Sequence, residues 1–198
     1  MREYSTPQQV QIPGTGNLTD DVVSNGVEHP GAVVFSRRAG QGPSQSWTDV
    51  TAAEFLAEVR AVAKGLVSAG IEPGDRVALL SRTRYEWTLF DYAIWFAGAA
   101  TVPIYETSSA EQVEWILSDS GARAVIVETS EHTARLKEIR DRLPEVHHVW
   151  SIEENAVAGG DLVQSRLLDR CQGLAEGGEA LALLPADTEV REIEEVLG

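Results

Sequence analysis

Gly70-Ile71-Glu72-Pro73-Gly74-Asp75-Arg76-Val77-Ala78-Leu79-Leu80 is the stretch on which the fold turns. Gly70 ends a helix in the left-handed conformation, Pro73-Gly74-Asp75 turns the chain, and Arg76 to Leu80 is an apolar run of buried-strand length. Upstream, Phe55, Leu56, Val59, Val62, Ala63, Leu66 and Val67 recur at helical spacing. They follow Thr51 and Glu54, whose spacing is that of a capping box, in which each side chain satisfies the other residue's backbone N–H. Downstream, Thr83 with Glu86 predicts a second helix over about 84–97, apolar around most of its circumference and therefore largely buried.

The same alternation continues. Ala100 to Tyr105 reads as a strand, Ser108 with Glu111 caps a helix that Gly121 stops, and Arg123 to Glu128 is a strand with an Ala-Val-Ile-Val centre. Leu136, Ile139 and Leu143 mark another helix, stopped by Pro144, and Val146 to Ile152 reads as a fourth strand. Strands separated by helices of this length imply right-handed βαβ units. The expected class is therefore α/β, a mostly parallel sheet with helices on both faces. Ala32 to Phe35 and a run from Ser46-Trp47 predict a short hairpin before it. Three segments follow: an arm over 1–28, an α/β unit over 29–155, and a helical, acidic segment over 156–198. That last segment contains helical patterns at Asp161 to Leu174 and Thr188 to Leu197.

Sixteen Lys and Arg against 31 Asp and Glu give a net charge of −15, which repels phosphate backbones, so nucleic-acid binding is not expected. The first residues lack a basic start and apolar core, and Cys171 is the single cysteine, so a reducing, cytoplasmic location is expected. The apolar, uncharged stretch Tyr92 to Tyr105 has 14 residues, whereas a membrane-spanning helix needs about 20.

Several motifs in order carry a resemblance. Trp47-Thr48-Asp49-Val50, Gly70 to Ala78, Arg84-Tyr85-Glu86-Trp87 and above all Phe96-Ala97-Gly98-Ala99-Ala100-Thr101-Val102-Pro103-Ile104-Tyr105 are similar to the N-terminal part of AMP-forming acyl-CoA synthetases. The continuation Glu106-Thr107-Ser108-Ser109-Ala110-Glu111-Gln112 resembles bacterial long-chain fatty-acid–CoA ligases more narrowly. The resemblance covers about residues 17–155 and implies the flavodoxin-like N-terminal subdomain of the adenylate-forming fold. It also implies the family reaction, in which ATP, Mg2+, a fatty acid and CoA give acyl-CoA, AMP and pyrophosphate. Charge developing on the transferred phosphorus requires backbone N–H donors and cations. The family supplies these from a Ser/Thr/Gly-rich loop ending in Pro-Lys-Gly, a magnesium-holding Glu, a ribose-binding Asp and a C-terminal lysine. None of these motifs occurs in the 198 residues, and where the loop should follow, the chain runs through Leu183-Leu184-Pro185-Ala186-Asp187-Thr188. Its only lysines, Lys64 and Lys137, sit in amphipathic helices. No residue is therefore assigned to catalysis, and neither metal nor cofactor is expected for this chain alone.

Individual residues add little to that. Gly14-Thr15-Gly16-Asn17 follows no buried strand and precedes no lysine, so it reads as an arm turn. His147-His148 lacks a third ligand and reads as one inward and one outward strand residue. Trp87, Phe90, Ile94, Trp95 and Phe96 read as core before acyl pocket, and Cys171 as a packing residue. Thr107, Ser108 and Ser109 are the ligand-loop candidates, because they follow a strand's carboxyl end and open a helix, where N–H groups favour anions. Capping alone also accounts for Ser108.

The leading expectation is an N-terminal fragment of such a ligase, inactive by itself. Two others stand beside it: a non-catalytic interaction module that covers an apolar face by a partner or self-association, and a split-enzyme subunit completed by a second chain. An independent nucleotide- or flavin-binding protein ranks last, because Ser81-Arg82-Thr83-Arg84 follows Leu80 where a Gly-rich fingerprint would stand.

Overall fold

The computed structural model describes residues 15–39 and 46–153. A short helix, α1 (Asp20–Glu28), is followed by strands β1 (Val33–Ala39) and β2 (Ser46–Thr51), then by α2 (Ala52–Ser68). From there strand and helix alternate: β3 (Arg76–Leu80), α3 (Tyr85–Phe96), β4 (Ala100–Ile104), α4 (Ala110–Ser120), β5 (Ala124–Val127), α5 (Ser130–Ile139) and β6 (His148–Ser151).

Strands β3 to β6 form a parallel sheet in the order β4-β3-β5-β6. The chain runs outward from β3 to β4, returns across β3 to β5, and continues outward to β6. The crossover leaves β3 and β5 adjacent, with Val77 opposite Ala124 and Leu80 opposite Val127. Side chains alternate between the two faces. Val77, Leu79, Ala124, Ile126 and Trp150 pack with α2 and α3, whereas Ala78, Leu80, Val125, Val127 and Val149 pack with α4 and α5. The expected α/β class, with helices on both faces of a parallel sheet, is what the chain forms. Pro103 lies on the edge strand β4, the position in a sheet that tolerates a missing N–H.

The hairpin is present as well. β1 and β2 pair antiparallel, and Phe35 sets its ring 4.8 Å from Phe55 of α2 and 5.8 Å from Tyr85 of α3. The Tyr85 hydroxyl donates to Glu58 at 2.8 Å, and Arg37 reaches the same carboxylate oxygen at 3.3 Å, which ties hairpin, α2 and α3 together.

Four local expectations change. Residues 20–28, read as part of an arm because of the turn formers around them, form α1 and rest on α2; a Cβ at Gly26 would lie 2.5 Å from Leu56 Cδ2, so glycine permits that approach. The Thr83–Glu86 capping box does not form. Arg84 is the N-cap of α3 without a side-chain cap, and Glu86 instead accepts from Arg84 Nε at 2.6 Å. The α4 box is shifted by one residue: Ser109 pairs with Gln112, not Ser108 with Glu111. Ser108 is buried in the preceding turn, its N–H donating to the Tyr105 carbonyl at 3.0 Å. Lastly, α5 ends at Ile139 and the chain tightens to a 3-10 turn over Arg140–Arg142, where Arg140 donates to the Leu143 and Val146 carbonyls.

Other readings agree. Thr51 and Glu54 form both halves of their box, Gly121 ends α4 at φ 61°, and Gly70 stands at φ 88°. Phe90 and Ile94 are fully enclosed, and Trp87 and Phe96 lean on the same core. His147 is exposed 3.1 Å from Arg123, while His148 stacks on Trp150 at 5.2 Å. Asn17 donates its N–H to Asp20 ahead of α1, so this part of the Gly14 to Asn17 stretch is a helix-entry turn. Cys171, Glu154, Glu192 to Glu195 and the expected helices of 156–198 lie outside the described residues.

Candidate functional site

In a sheet of this winding, ligands bind outside the strands' carboxyl ends, where strand order reverses. That point lies between β3 and β5. The residues there are Ser81, Arg82 and Arg84 after β3, and Glu128 after β5. Glu128 is fully enclosed, and its carboxylate accepts the backbone N–H of Arg82 at 2.9 Å, Arg82 Nη2 at 2.7 Å and Arg84 Nη1 at 3.1 Å. The Ser81 hydroxyl adds a longer contact at 3.3 Å. Arg84 also contacts Glu86 and, at 3.5 Å, Glu153, so two cations face three carboxylates.

Two opposing effects set the state of Glu128. Burial pushes its carboxyl up, and the hydrogen bonds from Arg82 and Arg84 outweigh burial, holding it at about 2. The same contacts raise Arg82; in Arg84, burial opposes the charge and its partners Glu86 and Glu128 prevail. A carboxylate so low, with its lone pairs engaged, does not serve as a general base near neutral pH. The Arg82 N–H, the donor a phosphate would meet first after β3, is already bonded. The cluster fastens the β3–α3 loop to β5.

The candidates Thr107, Ser108 and Ser109 lie at the same edge, on the β4–α4 loop. Thr107 is exposed. Ser109 Oγ accepts the Gln112 N–H at 3.3 Å and donates to Glu111 at 2.8 Å, so capping engages it fully. Arg135 of α5 donates to the Glu106 carbonyl at 2.9 Å and the Ser108 carbonyl at 2.6 Å, tying the loop to α5. Beside it His132 is 6% exposed; burial, then the Arg135 charge, lowers its pKa. Glu128, His132 and Arg135 escaped the sequence reading, since only strand order brings them to one edge. The one available signal was an acid ending one strand and two arginines following another. Among the described residues no His, Cys, Asp and Glu cluster could hold a metal ion.

The chain matches the AMP-binding enzyme family over residues 24–187. The chain belongs to that family. The match runs past residue 155 into the acidic segment. Among AMP-binding enzymes, it is 42% identical over 152 residues to the long-chain-fatty-acid–CoA ligase FadD15 of Mycobacterium bovis, covering 77% of this chain and 25% of that protein. It is 33% identical over 102 residues to the uncharacterized protein Rv1549 of Mycobacterium tuberculosis, covering 52% of this chain and 55% of that one. A putative long-chain-fatty-acid CoA ligase from Rhodopseudomonas palustris shares the fold, with TM-score 0.67 at 22% identity over 79% of this chain and 36% of its own. The chain thus spans about a quarter of the length of the long-chain-fatty-acid–CoA ligase it matches. No helix among the described residues is long and apolar enough to cross a membrane.

Proposed function

We propose that this chain serves as the N-terminal α/β portion of a long-chain fatty-acid–CoA ligase and is non-catalytic alone. The observation carrying this is the 42% identity to FadD15 over 152 residues, 77% of this chain. The two clusters at the carboxyl edge support the second half of the reading. Both are spent on internal fastening: Glu128 holds the 81–84 loop, and Arg135 holds the 105–109 loop. A frame of this kind presents loops to the rest of an enzyme and leaves ATP, Mg2+ and CoA chemistry to residues it does not itself carry. The cytoplasm, where ATP and CoA are plentiful, is the compartment this role requires.

A chimera tests the reading. The matching segment of FadD15 is replaced by this chain's, and acyl-CoA formation from a long-chain fatty acid is measured. Activity within about tenfold of the parent supports the reading; a folded chimera without activity overturns it.

A second reading has one observation in its favour. The match with Rv1549 covers more than half of that protein, so this region also stands in a chain largely made of it. In that reading the chain is a non-catalytic interaction module or split-enzyme subunit, with Tyr105, 82% exposed, and Trp115, 67% exposed, available to a covering surface. Light scattering across concentration separates the two: a strictly monomeric chain that binds no hydrophobic dye speaks against the module.

A further inference from the structure

The sheet has two edges, and they are finished differently. At β6, Val149, Trp150 and Ser151 are buried. At β4, Ile104 alone is buried, while Ala100 and Pro103 are exposed and Thr101 and Val102 half-buried. Among the described residues, β4 pairs with β3 alone.

The register decides which backbone groups this open edge offers. In a parallel ladder, successive residues turn their N–H and C=O to opposite sides. Ala100 donates its N–H to the Asp75 carbonyl at 2.7 Å, so Ala100, Val102 and Ile104 are turned toward β3. Thr101 and Pro103 are turned outward. The open side therefore carries the Thr101 N–H and the carbonyls of Thr101 and Pro103, and the N–H that proline lacks is missing from this side and not from the β3 ladder.

We propose that the β4 edge receives one added strand, an apolar run from the remainder of a long-chain fatty-acid–CoA ligase, an inference that rests on the ligase reading above. The chain spans 25% of FadD15, so most of such a ligase lies outside the part matched here. The faces of β4 define the strand. Thr101 and Pro103 stand opposite Val77 and Leu79, which pack with α2 and α3, and Val102 and Ile104 stand opposite Ala78 and Leu80, which pack with α4 and α5. A strand added beside them continues a sheet covered on both faces and must be apolar on both.

A second copy of this chain is the poorer occupant, because it brings the same missing donor. In an antiparallel pairing that sets Thr101 against Pro103, each proline leaves the opposing Thr101 carbonyl without its N–H. In the register that sets Thr101 against Thr101, Pro103 meets Ala99, whose N–H is already given to the Ile94 carbonyl at 3.0 Å. Pro103 thus guards the edge against its own kind, while its carbonyl stays available to a strand that supplies an N–H opposite it.

The test reads hydrogen exchange at the single amides of Thr101, Val102 and Ile104, corrected for intrinsic rates, in the 198-residue chain and in the FadD15 chimera described above. In the dilute chain Thr101 should exchange near its intrinsic rate, while Val102 and Ile104, bonded to β3, are protected. In the folded chimera Thr101 protection should rise by at least about a hundredfold. If the chimera does not fold, Pro103→Val in the 198-residue chain decides: with the outward N–H restored, two copies should pair, seen as association by light scattering and as Thr101 protection that grows with concentration. Thr101 protected in the dilute chain, Thr101 protection that grows with concentration in the unmodified chain, Thr101 unprotected in the folded chimera, or a Pro103→Val chain that stays monomeric overturns the proposal. An active chimera with Thr101 unprotected leaves the ligase reading standing without the added strand, whereas a folded chimera without activity removes that reading whatever Thr101 shows.

Discussion

Glu128 and Arg82 meet across the point where the sheet reverses its winding, one at the end of β5 and the other just after β3. Side chain and backbone of Arg82 both donate to the one carboxylate, at 2.7 and 2.9 Å. The pair is lopsided: the Arg82 side chain is 64% exposed and that of Glu128 is fully enclosed. Arg82 therefore brings an acceptable charge down from the surface to neutralise one that could not be buried alone.

Stability in acid follows from that pairing. The Glu128 carboxyl is depressed from 4.5 to about 2, so its contribution is present above pH 4.5 and is lost as pH falls from there toward 2. The difference corresponds to about 3 kcal/mol. Urea unfolding at a series of pH values should show Glu128→Gln less stable by about 3 kcal/mol near neutrality, with the gap to the unmodified chain closing through this acid window.

The one-residue shift of the α4 cap has a direct check. Ser109→Ala should cost about 1 kcal/mol, because Gln112 then loses the acceptor for its N–H. Ser108→Ala should cost less by denaturant midpoint, since the Ser108 contacts to Tyr105 and Arg135 are made by its backbone.

A glycine inside a helix identifies the docking of α1. At Gly26 an alanine would gain about 1 kcal/mol of helix propensity, but its Cβ would stand 2.5 Å from Leu56 Cδ2 and 3.0 Å from Leu56 Cβ. Overpacking of that kind costs about 1–3 kcal/mol, so Gly26→Ala should destabilise the chain. In a Leu56→Ala background the contact with Cδ2 is gone and only the 3.0 Å approach to the retained Cβ is left, so the same substitution should cost less there. A double-mutant cycle by chemical denaturation reads this difference.

Much of this architecture was legible because apolar periodicity and turn residues are local. Arg76 to Leu80 and Ala124 to Val127 read as strands at once, and Thr51 with Glu54 as a cap. Helix α1 was not, since its own buried apolar residue is Val22 alone and Gly26 sits within it. Of the two overlapping cap patterns at Ser108 and Ser109, the second forms, and the Ser108 carbonyl accepts from Arg135 on another helix. The Glu128 cluster joins residues 46 apart in sequence through strands that are not consecutive, so only the sheet order reveals it. Thr107, exposed beside two committed serines, keeps its standing as a loop candidate on placement alone.

We propose that these 198 residues are a frame without catalysis of their own. Fatty-acid-dependent ATP–pyrophosphate exchange by the purified chain, with Mg2+ and a long-chain fatty acid, addresses it most directly. Exchange at the no-protein background is the predicted result. Exchange above background that requires the fatty acid would contradict the account.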